Sequence, residues 1–143
     1  MTEFSQQKIL PYARQDVYNV VADIEKYPQF LPWCVGLRVT DRSGPVVKAD
    51  LMVGFRSFRE TFTSCVWFDE PHGIKVSYLD GPFRYLRNSW VFTDHPEGTL
   101  IEFHIDFEFR SRALQALIGK MFDLAVHRMV GAFEDRAHDL YRE

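Results

Sequence analysis

IEFHIDFEFRSRALQALIGKMFDLAVHRMVGAFEDRAHDL, residues 101–140, decides the fold. Up to Phe109 the stretch alternates, with Ile101, Phe103, Ile105, Phe107 and Phe109 set against Glu102, His104, Asp106 and Glu108. That period of two is the mark of a strand buried on one face. After Ser111 the period lengthens to about 3.6. Leu114, Leu117, Ile118, Met121, Phe122, Ala125, Met129, Phe133, Ala137 and Leu140 then make one apolar stripe without a proline. The spacing predicts a helix from Ala113 onward, roughly 40 Å long at about 1.5 Å per residue. It is expected to bury Leu117, Met121, Ala125, Met129 and Phe133 against the concave face of a sheet.

The sheet is read upstream of that stretch. Residues 3–10 suit an edge strand ended by Pro11. From Ala13, the positions Val17, Val20, Val21 and Ile24 fall at helical spacing. Tyr27-Pro28-Gln29-Phe30-Leu31 reads as a short second helix, with Pro28 at a first helical position and Pro32 as its stop. Strands follow: one carrying Val35, Leu37 and Val39, then one with Val47, Ala49, Leu51, Val53 and Phe55 in period two. The next puts Phe62, Val66 and Phe68 on a face with Glu60 and Ser64. Ile74, Val76 and Tyr78 make a shorter strand, and Trp90 and Phe92 start another. Turns are signalled at Ser43-Gly44-Pro45, Pro71-His72-Gly73 and residues 95–98. Asp80-Gly81-Pro82 opens what reads as a loop through Phe83 and Leu86. The expected architecture is α+β: about seven antiparallel strands curled around the long helix, with two short helices after the first strand, in one domain over residues 1–143.

Composition narrows the function. The chain has 143 residues, 46% of them hydrophobic and 26% charged, with 13 Phe, 6 Tyr and 3 Trp. So many aromatics suit a β-rich core or a lined ligand cavity. Net charge is -3 and the pI about 5.9, which argues against DNA or another nucleic acid held through phosphates. Cys34 and Cys65 form no paired metal motif, and free thiols in a reducing compartment are expected. The first twelve residues lack the apolar core of a signal peptide, and no run suits a membrane span. A bacterial, cytoplasmic protein is expected.

Catalytic patterns are absent. The sequence holds no GxSxG, HExxH, P-loop or dinucleotide fingerprint. His104 shares a strand face with Glu102 and Asp106, but three ligands on one flat face do not converge on a metal, so an outer polar face is expected. Ser64, Cys65 and Cys34 have no His or carboxylate at an activating spacing. Neither catalysis, a metal nor a cofactor is expected. Arg128 lies near the apolar helix stripe and reads either as a snorkelling arginine or as a polar handle.

Two apolar segments look like the lips of one opening. Tyr27, Phe30, Leu31 and Trp33 supply the first. Leu79, Pro82, Phe83, Tyr85 and Leu86 supply the second, an apolar richness that exposed loops rarely carry. The alternative is that Phe83 and Trp33 plug the core.

Several motifs together resemble the coenzyme Q-binding family of START-like domains: Tyr18-Asn19-Val20-Val21-Ala22-Asp23, Tyr27, Phe30-Leu31-Pro32-Trp33-Cys34, Val53-Gly54-Phe55, Glu60-Thr61-Phe62-Thr63-Ser64, Pro82-Phe83, Leu86, Trp90, Phe107-Glu108-Phe109-Arg110-Ser111 and Ala132-Phe133-Glu134-Asp135-Arg136. The resemblance runs over nearly the whole chain, without the mitochondrial presequence of eukaryotic members. It implies a helix-grip fold with a hydrophobic tunnel for ubiquinone or a similar polyprenyl lipid, serving respiration. The same family in bacteria includes ribosome-association toxins, and its wider group is named for polyketide cyclases, so three functions stand open. A ribosomal subunit is one partner on that list and peripheral contact with the inner membrane another possibility.

On this reading the ligand-binding wall and mouth draw on each part of the chain. Phe30 and Trp33 come from the first lip, and Leu79, Phe83 and Leu86 from the second. Val53, Phe55, Phe62, Ser64 and Trp90 come from the inner strand faces, and Leu117, Met121, Ala125 and Met129 from the helix.

Overall fold

The computed structural model describes residues 2–55, 58–119 and 122–141. Strand β1 (Thr2–Leu10) leads into helix α1 (Arg14–Ala22), a 3-10 turn (Ile24–Lys26) and the short helix α2 (Tyr27–Phe30). Six strands follow: β2 (Cys34–Ser43), β3 (Val46–Phe55), β4 (Phe58–Asp69), β5 (Gly73–Asp80), β6 (Phe83–His95) and β7 (Gly98–Phe109). The chain closes with α3 (Arg112–Gly119) and α4 (Phe122–Tyr141), on either side of positions 120 and 121. One seven-stranded sheet has the order β1-β7-β6-β5-β4-β3-β2. Every neighbouring pair is antiparallel: successive strands from β2 to β7 pair with each other, and β1 pairs with β7.

The alternation of β7 does what its sequence implies. Ile101, Phe103, Phe107 and Phe109 are buried, while Glu102 is exposed. β6 matches it with Leu86, Trp90 and Phe92 inward. Helix α1 covers one half of the concave face. Its Val17, Tyr18, Val20 and Val21 are buried, and the Tyr18 ring meets Phe92 edge-on at 5.8 Å. Along α4 the buried positions are Val126, Val130, Phe133 and Ala137, at spacings of four, three and four that hold one helix face.

The helix stripe therefore differs from the expected one. Val126 and Val130 take the innermost line, while Ala125 and Met129 sit beside it. Leu117, expected to be buried, is 52% exposed, and Leu140 is half exposed. An apolar stripe this broad spans more than one helix face, and docking against α1 and the sheet selects the line through Val126 and Val130. Met121, also expected on the buried stripe, lies outside the described residues.

Residues 79–86 are not a loop. They are the end of β5, a turn at Gly81-Pro82, and the start of β6. Gly81 has φ +143°, and a side chain there would meet the Phe62 Cβ at 2.6 Å. Glycine alone suits that close approach, and it lets both strands run to the end of the sheet.

Candidate functional site

Where α1 leaves the concave face uncovered, the sheet and α4 enclose a cavity of about 520 Å³. β3, β4 and β5 turn Ala49, Leu51, Val53, Phe62, Ser64 and Val76 into it. β6 and β7 add Leu86, Asn88, Trp90, Ile105 and Phe107, and α4 adds Leu124, Ala125, Arg128 and Met129. Small or short residues such as Ala49 and Ser64 stand where the opposite half of the sheet has Phe92. The space they leave is why the core is hollow here.

One end of the cavity is closed by rings. Phe83 is 8% exposed, stacks on Phe109 at 4.7 Å, and meets Phe62 at 5.3 Å and Phe107 at 5.6 Å. Its N–H donates to the Tyr78 hydroxyl at 3.1 Å, and its carbonyl accepts from Arg110 Nε at 3.0 Å. So many fixed partners make Phe83 part of a closed wall, as the plug reading has it.

The mouth lies elsewhere. Among the wall residues, Leu124 is 54% exposed and Arg128 is exposed, with half-buried Leu31, Pro32 and Trp33 also bordering the space. We take the opening to run between these two groups. Trp33 holds φ +67°, an unusual region for a bulky residue, and its carbonyl accepts from the Gly54 N–H at 2.9 Å. The Arg59 guanidinium lies over Gly54, where a Cβ would fall 1.8 Å from it and displace it. The Val53-Gly54-Phe55 element thus fixes the backbone of the mouth.

Of the expected wall and mouth residues, Trp33, Val53, Phe62, Ser64, Phe83, Leu86, Trp90, Ala125 and Met129 surround the cavity. Three are corrected. Phe30 instead ties α2 to α4, its ring 5.4 Å from Phe133 and under the Arg136 guanidinium at 5.2 Å. Leu79 is 50% exposed, because the tight turn places it on an outward strand position. Leu117 is exposed on α3. Phe55 ends β3 with its side chain outside what is described, as is Met121. Asn88 was not singled out from the sequence, although its place between Leu86 and Trp90 in period two marks it as inward.

The polar groups on this wall are few. Ser64 is 6% exposed. The Asn88 amide donates to the His104 carbonyl at 2.8 Å. The Cys34 thiol donates to the Gly36 carbonyl at 3.7 Å, and burial pushes its pKa up. The Tyr27 hydroxyl donates to the Val21 carbonyl, and burial pushes it up as well. A raised thiol stays protonated and is a poor nucleophile. No His, Asp or Glu is found among the described wall residues, so they offer no general base to activate Ser64 or Cys34. His104 lies on the convex face, 3.5 Å from Glu3, and Asp106 there accepts from the Tyr85 hydroxyl at 3.2 Å. Among the described residues no three His, Cys, Asp or Glu side chains converge as metal ligands, and no helix is long and apolar enough to cross a membrane.

Comparison with known proteins agrees with this geometry. The chain is 34% identical to the ribosome association toxin RatA of Rickettsia prowazekii, over 99% of this chain and all of that one. It is 32% identical to the mitochondrial coenzyme Q-binding protein COQ10 homolog B of Xenopus laevis, over 97% of this chain and 59% of the relative. A START superfamily protein from Mycobacterium smegmatis superposes with a TM-score of 0.83 at 20% identity, over 96% of this chain and 98% of that one, and shares the fold. With the family's sequence pattern matching residues 10–134, the chain belongs to the polyketide cyclase / dehydrase and lipid transport family.

Proposed function

We propose that this protein binds ubiquinone or a similar polyprenyl lipid in its cavity and carries it, without chemistry, in support of respiratory electron transport. The observation that carries the reading is a space of about 520 Å³ whose described wall is almost wholly apolar and holds no His, Asp or Glu. Removing apolar surface from water is worth about 0.8 kcal/mol per methylene, so such a space retains a prenylated molecule with few polar contacts. Similarity to a coenzyme Q-binding protein supports the same ligand class. On this reading the chain works in the bacterial cytoplasm and meets quinone at the surface of the inner membrane. A cyclase-type activity would need a convergent acid or base on the wall.

The similarity to RatA over its whole length favours a second reading, a translation inhibitor bound to a ribosomal subunit. A net charge of -3 weighs against tight phosphate contacts. One pair of assays separates the two. Purified protein is incubated with ubiquinone-loaded vesicles and re-isolated, and in parallel is sedimented with ribosomal subunits. Quinone recovered at up to one molecule per chain, without subunit co-sedimentation, is the expected result. Salt-resistant co-sedimentation with no quinone uptake would favour the toxin reading.

A further inference from the structure

Ser64 is a buried polar group that the fold leaves unused. It sits on the concave face of β4, 6% exposed, and its hydroxyl has no hydrogen-bond partner among the described residues. The hydroxyl borders the cavity, so it is placed to bond to whatever fills that space. Two strands away Asn88 also faces the cavity. Register relates the two: Val76 pairs with both Val66 and Asn88, and Ser64 lies two positions from Val66 on the same face. Asn88 spends one amide N–H on the His104 carbonyl, which leaves its side-chain oxygen and second N–H for a ligand. Neither group is charged. The cation on the wall, Arg128, is exposed at the mouth.

We infer that Ser64 and Asn88 seat an uncharged, oxygen-bearing ring, and that the lipid enters ring first with its tail trailing out past Leu124. This rests on the quinone reading above. The hydroxyl of Ser64 donates to a ring carbonyl, and the amide of Asn88 donates to a second oxygen. A carboxylate or phosphate seated there would be a buried anion with no cation beside it, which is costly. Size sets the direction of the tail. At about 30 Å³ per methylene-sized group the cavity holds on the order of twenty non-hydrogen atoms. That is the size of a substituted quinone ring with its first prenyl units. Leu124, both wall and half exposed, gives the emerging chain an apolar path.

The test is a series of ubiquinones with one, two, three and four prenyl units, titrated against tryptophan fluorescence, since Trp33 and Trp90 border the cavity. A fully enclosed tail would raise affinity about a hundredfold or more per unit. The expected result is a rise over the first two units and then a plateau within about threefold. Ser64→Ala should weaken the short-tailed quinone about fivefold and leave a prenyl hydrocarbon of similar size unaffected. Arg128→Ala, at the mouth, should weaken the short-tailed quinone by less than Ser64→Ala does. Continued growth of affinity with every unit would overturn the tail-out arrangement. Indifference to Ser64→Ala, or loss of binding in Arg128→Ala instead, would overturn the ring-in orientation. Quenching by no member of the series would overturn the quinone reading itself, and the orientation with it.

Discussion

The two halves of the concave face use the same sheet and the same helix to opposite ends. In the half under α1, Phe92, Ile101, Val17, Val21 and Val130 fill the space but for a void of about 20 Å³. Trp90 stacks on Phe92 and meets Phe103 at 4.7 Å. In the other half α1 is absent, Ala49 and Ser64 are short, and the space stays open. One half holds the fold together and the other is free to hold something else. That division predicts which substitutions act on stability and which on binding.

The largest effect belongs to the packed half. Phe92→Ala removes a ring that is almost wholly buried between Tyr18 and Trp90. It should cost about 3–5 kcal/mol in denaturant unfolding, and a loss under about 1 kcal/mol would mean that this half is as loose as the other. Phe83→Ala comes next, at about 3 kcal/mol, because its ring is packed against Phe62, Phe107 and Phe109. Quinone transfer per folded molecule should be unchanged. Normal stability with slowed transfer would return Phe83 to the role of a gate.

Enlarging an alanine sharpens the contrast. Ala137, buried where α4 faces α1, borders a void of only about 20 Å³, too small for the added carbons, so Ala137→Leu should cost about 1–3 kcal/mol. Ala49 borders the cavity, so Ala49→Leu should change stability by under about 1 kcal/mol while reducing quinone uptake severalfold. Equal stability losses in the two variants would erase the distinction between the halves.

Two smaller effects concern titration. With its pKa raised by burial, Cys34 should react with iodoacetamide more slowly than Cys65 at pH 8, and bound quinone should slow it further. Faster modification of Cys34 would contradict its buried, protonated state. Asp50 has its pKa lowered, chiefly by the Thr63 hydroxyl that donates to it at 2.7 Å. A depressed carboxyl stabilises the fold above its unfolded pKa and loses that contribution as pH falls through the folded one. Thr63→Val should thus cost under about 1 kcal/mol at neutral pH for this solvent-screened pair, with the deficit fading in acid below the ordinary value of 3.8.

The packed half and the architecture were the more legible part of the sequence. The switch of period at Ser111 separates β7 from the helices, and inward alternation names Phe103, Phe107 and Phe109 without any knowledge of their neighbours. The helix face was not legible in the same way. A stripe that includes Leu117, Ala125 and Met129 leaves adjacent lines open, and only the docking of α1 brings Val126 and Val130 to the front. Leu79 was misplaced because Gly81-Pro82 marks a turn but not its tightness, which depends on the approach of the chain to Phe62. Ser64 could be picked out as a polar residue on an apolar face, and Asn88 by the same rule. That the two border one cavity depends on the order of β4, β5 and β6 and on the short side chain at Ala49, which are properties of the assembled sheet.

The most direct test of the hollow half is to ask what it already holds. Protein purified without detergent from quinone-producing cells is extracted and its lipids identified by mass spectrometry, beside the Ala49→Leu variant prepared identically. The account predicts a prenylated quinone at a substantial fraction of one per chain, depleted severalfold in the variant. An empty protein that also takes up no quinone from vesicles, or equal quinone in both preparations, would contradict it.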